Sequence, residues 1–173
     1  MQAIGAGYGS ARPRNGQLGS WTTIPDKSGY NSNMTNLEKV LLLQDIELFS
    51  QVTLEQLSYL AAITEEISVP KGRQLYTEGD SPDGLYILVS GSVLMHRAER
   101  EIDRILPNGT FGVWALFDDE PRLATAETIE ESRLLFVPRE DFYDVLSDHV
   151  EIVAGLFKHL VRRLRKLAAA AEK

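Results

Sequence analysis

The sequence predicts a mainly β fold flanked by helices, and three observations carry that reading. Between residues 66 and 137 apolar residues recur with a period of two, in short runs separated by Gly and Pro. Two Thr-led helix starts precede this region, and a stripe with spacings of three and four follows it. Many short, evenly spaced strands mean a barrel, a jelly roll or a sandwich.

Length and composition narrow the class. With 173 residues and a net charge of −7, the chain reads as about one soluble globular domain. The acidic balance argues against nonspecific binding to nucleic acid, which needs a clustered basic face. Cysteine is absent, so there is no disulfide, no thiolate chemistry and no Cys-type zinc site, which fits a reducing, cytoplasmic location. The longest apolar runs, such as Val40 to Leu43, fall far short of the roughly 20 residues of a membrane span, so no insertion is expected. No apolar signal-peptide core opens the chain.

The elements follow in order. Residues 1–34, rich in Gly, Ser and Asn without a period, read as a disordered or loosely packed tail, and the domain as 35–173. Such a leader suggests a chain appended to, or partnered with, a larger protein. Thr35 with Glu38 is a capping box, opening a helix to about residue 46 with Leu37, Val40, Leu41 and Ile46 as its apolar face. Thr53 with Gln56 opens a second, with Leu54, Leu57, Leu60 and Ala61 at helical spacing, so residues 35–64 form N-terminal helices. The β region, 65–138, holds runs at 66–69, 74–77, 85–89, 92–96, 102–106, 123–129 and 133–137. Its separators, such as Pro70-Lys71-Gly72 and Pro107-Asn108-Gly109, supply turn angles.

Residues 139–173 return to helix: a short one over 139–146, then a long one capped by Ser147 or Asp148. Val153, Phe157, Leu160, Leu164, Leu167 and Ala171 make a heptad-like stripe, which either pairs with a second copy through 153–171 or covers the chain's own strands. Lys158, Arg162, Arg163, Arg165 and Lys166 read as a solvated basic face, with an acidic partner as the sharper alternative.

Function concentrates in Gly109 to Ala126. Gly109 and Gly112 break the chain, Val113 to Phe117 can form one helical turn, and Pro121-Arg122 re-enters an extended segment of small residues. A helix start offers unpaired N–H groups, and the Arg122 guanidinium can fork onto two phosphate oxygens, so the stretch reads as an anion cradle.

Phe111-Gly112, Ala115-Leu116 and Pro121-Arg122-x-Ala124-Thr125, at this spacing, resemble the phosphate-binding cassette of the cyclic nucleotide-binding domain family. That family includes the catabolite activator proteins and the regulatory subunits of cyclic-AMP-dependent protein kinase. Glu78-Gly79-Asp80 through Gly91-Ser92-Val93 is similar to its other signature, so the resemblance spans about residues 36–165. It implies a double-stranded β-helix, a jelly-roll-like β-roll, with N-terminal helices and a long C-terminal helix often found at dimer interfaces. It also implies phosphate donors from Gly112, the N–H groups of Ala115, Leu116 and Ala124, the Thr125 hydroxyl and Arg122, with Val113, Trp114 and Leu123 toward ribose and base.

Two positions depart from the family pattern. Val113 stands where the family has the Glu that accepts from the ribose hydroxyl, and Trp114 where it has a modest aliphatic residue. A tryptophan beside Phe111 and Phe117 reads as core, with stacking on a base as the alternative. Leu123 lacks the hydroxyl that cyclic-GMP-selective members carry there, so the resemblance favours cyclic AMP over cyclic GMP.

Other chemistry lacks support. Asp118, Asp119 and Glu120 read as a solvated tip, His96, His149 and His159 have no metal spacing, and no nucleophile is paired with a base. No catalytic residue, metal or cofactor is therefore expected. The stripe ends close to Lys173, which leaves no room in this sequence for the family's helix-turn-helix domain. Two functions remain: a non-enzymatic domain sensing a cyclic nucleotide or another phosphate-bearing small molecule, or a degenerate member serving as an interaction or dimerisation module.

Overall fold

A computed structural model describes residues 34–171. The tail expected over 1–34 lies outside the described residues except for Met34, whose backbone N–H donates to the Glu66 carboxylate at 3.2 Å. Both capping boxes form. Thr35 opens α1 (Asn36–Gln44) and Thr53 opens α2 (Leu54–Ala62), each exchanging side-chain and backbone hydrogen bonds with the residue three positions on. Between them Glu47–Phe49 makes a one-turn helix. The buried face of α1 differs from the expected one: Val40 and Leu43 are inside, joined by Ile46, while Leu37 and Leu41 face solvent. Residue 41 lies about 100° around the helix from residue 40, so burying the stripe of one exposes the other.

Eight strands follow: β1 (Glu65–Val69), β2 (Gln74–Tyr76), β3 (Gly84–Ser90), β4 (Val93–Arg97), β5 (Arg100–Ile105), β6 (Thr110–Phe111), β7 (Thr125–Thr128) and β8 (Ser132–Pro138). They form two four-stranded antiparallel sheets, ordered β1-β8-β3-β6 and β2-β7-β4-β5. Strand β6 was not expected, because two residues carry no period. The run placed at 123–129 starts only at Thr125, since Leu123 and Ala124 belong to the loop that carries Arg122.

The central strands β3 and β8 face two cores, which is why the run from Leu85 reads as nearly continuous apolar sequence. Leu85, Ile87, Leu135 and Val137 point into a helical core with Leu43, Phe49, Leu57, Leu60, Leu116, Phe142, Ile152 and Leu156. Tyr86, Leu88, Leu134 and Phe136 point into the roll, against Tyr76, Val93, Phe111 and Ala126. The register places Tyr86 opposite both Phe111 and Phe136, with ring centroids 5.3 and 4.7 Å away. The Tyr86 ring of this aromatic row lies 5.9 Å from the guanidinium carbon of Arg122, in the site described below.

The chain then forms α3 (Arg139–Asp148) and α4 (Val150–Ala171). Ser147 and Asp148 close α3 rather than cap α4; the Ser147 hydroxyl donates back to the Tyr143 carbonyl at 2.9 Å. Ile152, Gly155, Leu156 and His159 are the face of α4 that meets the domain. Gly155 permits the approach, because a Cβ there would lie 2.8 Å from the Gln51 carbonyl oxygen. The heptad-like stripe faces elsewhere. Phe157, Leu160, Leu164 and Leu167 are exposed, so it does not cover the chain's own roll. No helix among the described residues is long and apolar enough to cross a membrane.

Candidate functional site

Strand β6 delivers the chain to Gly112, whose φ of +77° favours a residue without Cβ. Space imposes the same choice, since a Cβ there would lie 2.5 Å from Nη1 of Arg122 and 3.0 Å from the Gly84 carbonyl oxygen. A one-turn helix, Val113–Leu116, follows at once. Leu116 is fully buried and Val113 packs against the same helical core, so the turn is anchored from its inner side. Trp114 faces outward.

Arg122 reaches this turn from the loop before β7. Only 6% of it is exposed, and its guanidinium carbon lies 4.0 Å from the centre of the Tyr76 ring. Nη1 donates to the Gly112 carbonyl at 3.3 Å, and Nη2 donates to the Gly84 carbonyl at 2.8 Å and to the Asp83 carboxylate. Asp83 also accepts from the Tyr86 hydroxyl at 2.7 Å. Nε is buried and has no acceptor. Both forked edges of a guanidinium use Nη2, so a bidentate grip on phosphate requires Asp83 or Gly84 to yield first. The neighbouring phenols record how dry the site is. Burial pushes Tyr76 up to about 12, with the Arg122 charge opposing and Asp83 assisting. Tyr86 is raised well above its ordinary value, first by burial and then by the Asp83 charge.

The structure brings Gly112 and Arg122 into contact, with Ala124 and Thr125 buried beside them. One expected donor is committed, and one hydroxyl is held as an acceptor with its own hydrogen left to donate. The Ala115 N–H donates to the Gly112 carbonyl at 3.0 Å, closing the one-turn helix, and Thr125 Oγ1 accepts from the Glu78 N–H at 3.0 Å. The turn's ladder starts at Ala115, which leaves the N–H groups of Val113 and Trp114 outside it. Leu123 is 66% exposed and its carbonyl accepts from Arg97. The expectation that Trp114 is core is overturned: it is 75% exposed, because Val113 and Leu116 take the inward positions of so short a helix. Phe117 is also exposed, while Phe111 is buried.

Three residues of the site were missed. Asp83 and Tyr76 come from loops and strands far from Arg122 in sequence, and no local period links them. Arg139 is different: a cation in the first turn of a helix opposes the helix dipole, a signal that its side chain serves something else. It donates to the Ala115 carbonyl at 2.9 Å, to the Asp118 carbonyl and to the Asp119 carboxylate at 2.7 Å.

The family model for the cyclic nucleotide-binding domain matches residues 66–149. The CRP-like cAMP-activated global transcriptional regulator of Mycobacterium tuberculosis is 33% identical over 117 residues, which cover 63% of this chain and 52% of that protein. Among solved structures, the N-terminal domain of a transcriptional regulator from Streptomyces coelicolor A3(2) is 31% identical with a TM-score of 0.70, covering 75% of this chain and 96% of that one. A cyclic nucleotide-binding-like protein from Brucella abortus is 31% identical with a TM-score of 0.58, covering 64% and 98%. The chain belongs to the cyclic nucleotide-binding domain family. Its mainly β architecture with flanking helices is the β-roll of that family, and the chain spans about half the length of the curated relative it matches. The family match runs from Glu66 in β1 to His149 between α3 and α4, so α1, α2 and α4 flank this cyclic nucleotide-binding domain.

Proposed function

We propose that this domain is a non-enzymatic, cytoplasmic regulatory unit that senses a cyclic nucleotide, cyclic AMP in preference to cyclic GMP, or another phosphate-bearing small molecule. The observation that carries this reading is the buried Arg122 guanidinium, held against Gly112 and the Tyr76 ring with its Nε–H unpaired. A buried donor on a cation is costly without an acceptor, and a phosphate oxygen supplies one of matching charge. Asp83, half-exposed, is the group that yields when phosphate takes the fork. Leu123 offers no hydroxyl to a guanine. Val113 offers no carboxylate to a ribose, so binding is weaker by about 10- to 150-fold than with that charged hydrogen bond present. Leu116, buried in the helical core with Phe142 and Ile152, carries movement of the turn toward α3 and α4. The exposed stripe on α4 then serves a second copy or a partner.

Calorimetry with cyclic AMP and cyclic GMP, on the wild type and on Arg122→Ala, tests the proposal. Cyclic AMP should bind more tightly than cyclic GMP, and the substitution should weaken it at least 10-fold. No heat with either nucleotide, or equal binding by the variant, would favour the second reading. That reading, a member that binds no nucleotide and acts as an interaction or dimerisation module, draws on Val113 facing the helical core and on the exposed stripe of α4.

A further inference from the structure

The side chain of Arg139, 17% exposed, lies across the C-terminal end of the one-turn helix at 113–116. It meets three acceptors there. The Ala115 carbonyl belongs to the turn, the Asp118 carbonyl lies just beyond it, and the Asp119 carboxylate comes from the acidic tip. The same guanidinium lies 5.4 Å from the centre of the Tyr143 ring, one helical turn further along α3. Asp119 is itself 98% exposed, so the ion pair alone is worth little. The two carbonyls decide the matter. A planar guanidinium can satisfy acceptors in this arrangement only while the turn keeps its tight winding, whereas an ammonium presents a single nitrogen. Phe117, edge-on to the buried Phe142 ring at 6.0 Å, ties the same end of the turn to the same helix.

We infer that Arg139 is a positioning residue for the cradle: it holds the end of the 113–116 turn against the first turn of α3, so that unwinding of one is carried into the other. This inference rests on the reading of 112–125 as the ligand cradle. No contact joins it to Arg122, and at Ala115 it meets the carbonyl and not the N–H, so it acts through the turn alone.

Amide hydrogen exchange on the full chain tests it without nucleotide. The N–H groups of Phe117 and Asp118 both donate to the Trp114 carbonyl and report the turn. Tyr143, the first N–H bonded inside α3 by helix geometry, reports the helix start. The Leu88 N–H, bonded to the Gly109 carbonyl, reports the roll. Arg139→Gln should speed exchange at Phe117, Asp118 and Tyr143 by about 10-fold while Leu88 changes less than about twofold, the pattern of a local opening. Arg139→Lys should fall between wild type and Gln, and Asp119→Ala, which removes only an exposed carboxylate, should shift the same amides by less than about threefold. A uniform rise that includes Leu88 would reduce Arg139 to general stability and overturn the inference. A faster turn with an unchanged Tyr143 would overturn the link to α3, as would no change anywhere. Failure of wild type to bind cyclic AMP would remove the functional reading and leave the exchange result standing.

Discussion

Replacing Leu160 and Leu164 by Glu separates a dimer helix from a covering helix. In the isolated domain these side chains are 41% and 65% exposed, so together they leave about one leucine's worth of surface in water. A symmetric pairing along α4 would bury that surface twice. At roughly 1.5–3 kcal/mol for each fully buried leucine, the double change removes about 3–6 kcal/mol of association free energy, on the order of 10²- to 10⁴-fold in dissociation constant. The charges permit such pairing. Taking Phe157 and Leu164 as a positions and Leu160 and Leu167 as d, Lys158, Arg162, Arg165 and Lys166 fall on the outer positions, and of the basic residues only Arg163 flanks the seam. Sedimentation equilibrium from micromolar to about 100 micromolar, with a thermal melt of each protein, reads both quantities. The expected result is a wild-type dimer, a monomeric variant and nearly equal monomer melting temperatures. A monomeric wild type at tens of micromolar would refute the pairing. A variant that melts much earlier would refute the premise that the stripe is free of the roll.

Three further outcomes follow. Val113→Glu restores the carboxylate of the family pattern and should tighten cyclic AMP by about 10- to 150-fold in calorimetry, and no gain in a folded variant would mean a different ligand pose. Gly112→Ala places a Cβ 2.5 Å from Nη1 of Arg122 at a left-handed φ, and should cost about 1–2 kcal/mol in urea unfolding and weaken nucleotide binding; an unchanged midpoint would show that the loop relaxes around the methyl. Tyr76 and Tyr86 hold their protons more tightly folded than unfolded. Their contribution to stability is therefore whole below the ordinary phenol value of about 10 and is lost as pH rises above it, for Tyr76 through about 12, so their phenolate absorbance should appear together with unfolding rather than before it.

Local sequence rules carried much of the fold. Thr35/Glu38 and Thr53/Gln56 fixed two helix starts to the residue, because a capping box satisfies its own donors wherever it occurs. The alternation of Leu85-Tyr86-Ile87-Leu88 was legible as strand, yet not that both of its faces are buried, since that depends on helices arriving from elsewhere. In the site, Arg122 and Gly112 were legible as a pair from their motif, and the structure places them in contact. Asp83 was not, because its meeting with Arg122 is a property of sheet register. Trp114 was misread for a related reason: a one-turn helix has too few inward positions for three large side chains, and the sequence does not say which are chosen. The stripe on α4 was visible while its direction was not, because Ile152, Leu156 and His159 form an adjacent stripe of similar period.

The sheet that holds the aromatic row closes late. Strand β1 lies against β8, with Glu65 opposite Phe136 and Val69 opposite Ser132, so the first strand made has as its partner the last. A chain emerging from the ribosome cannot accrete this sheet hairpin by hairpin. Until Ser132–Pro138 has been synthesised, β1 and β3 both lack their central neighbour, and Tyr86 lacks Phe136. Folding therefore waits on long loop closure, which slows two-state β proteins to milliseconds or seconds, and any chain stopped before residue 132 should lack this sheet and be prone to associate through its unpaired strand edges.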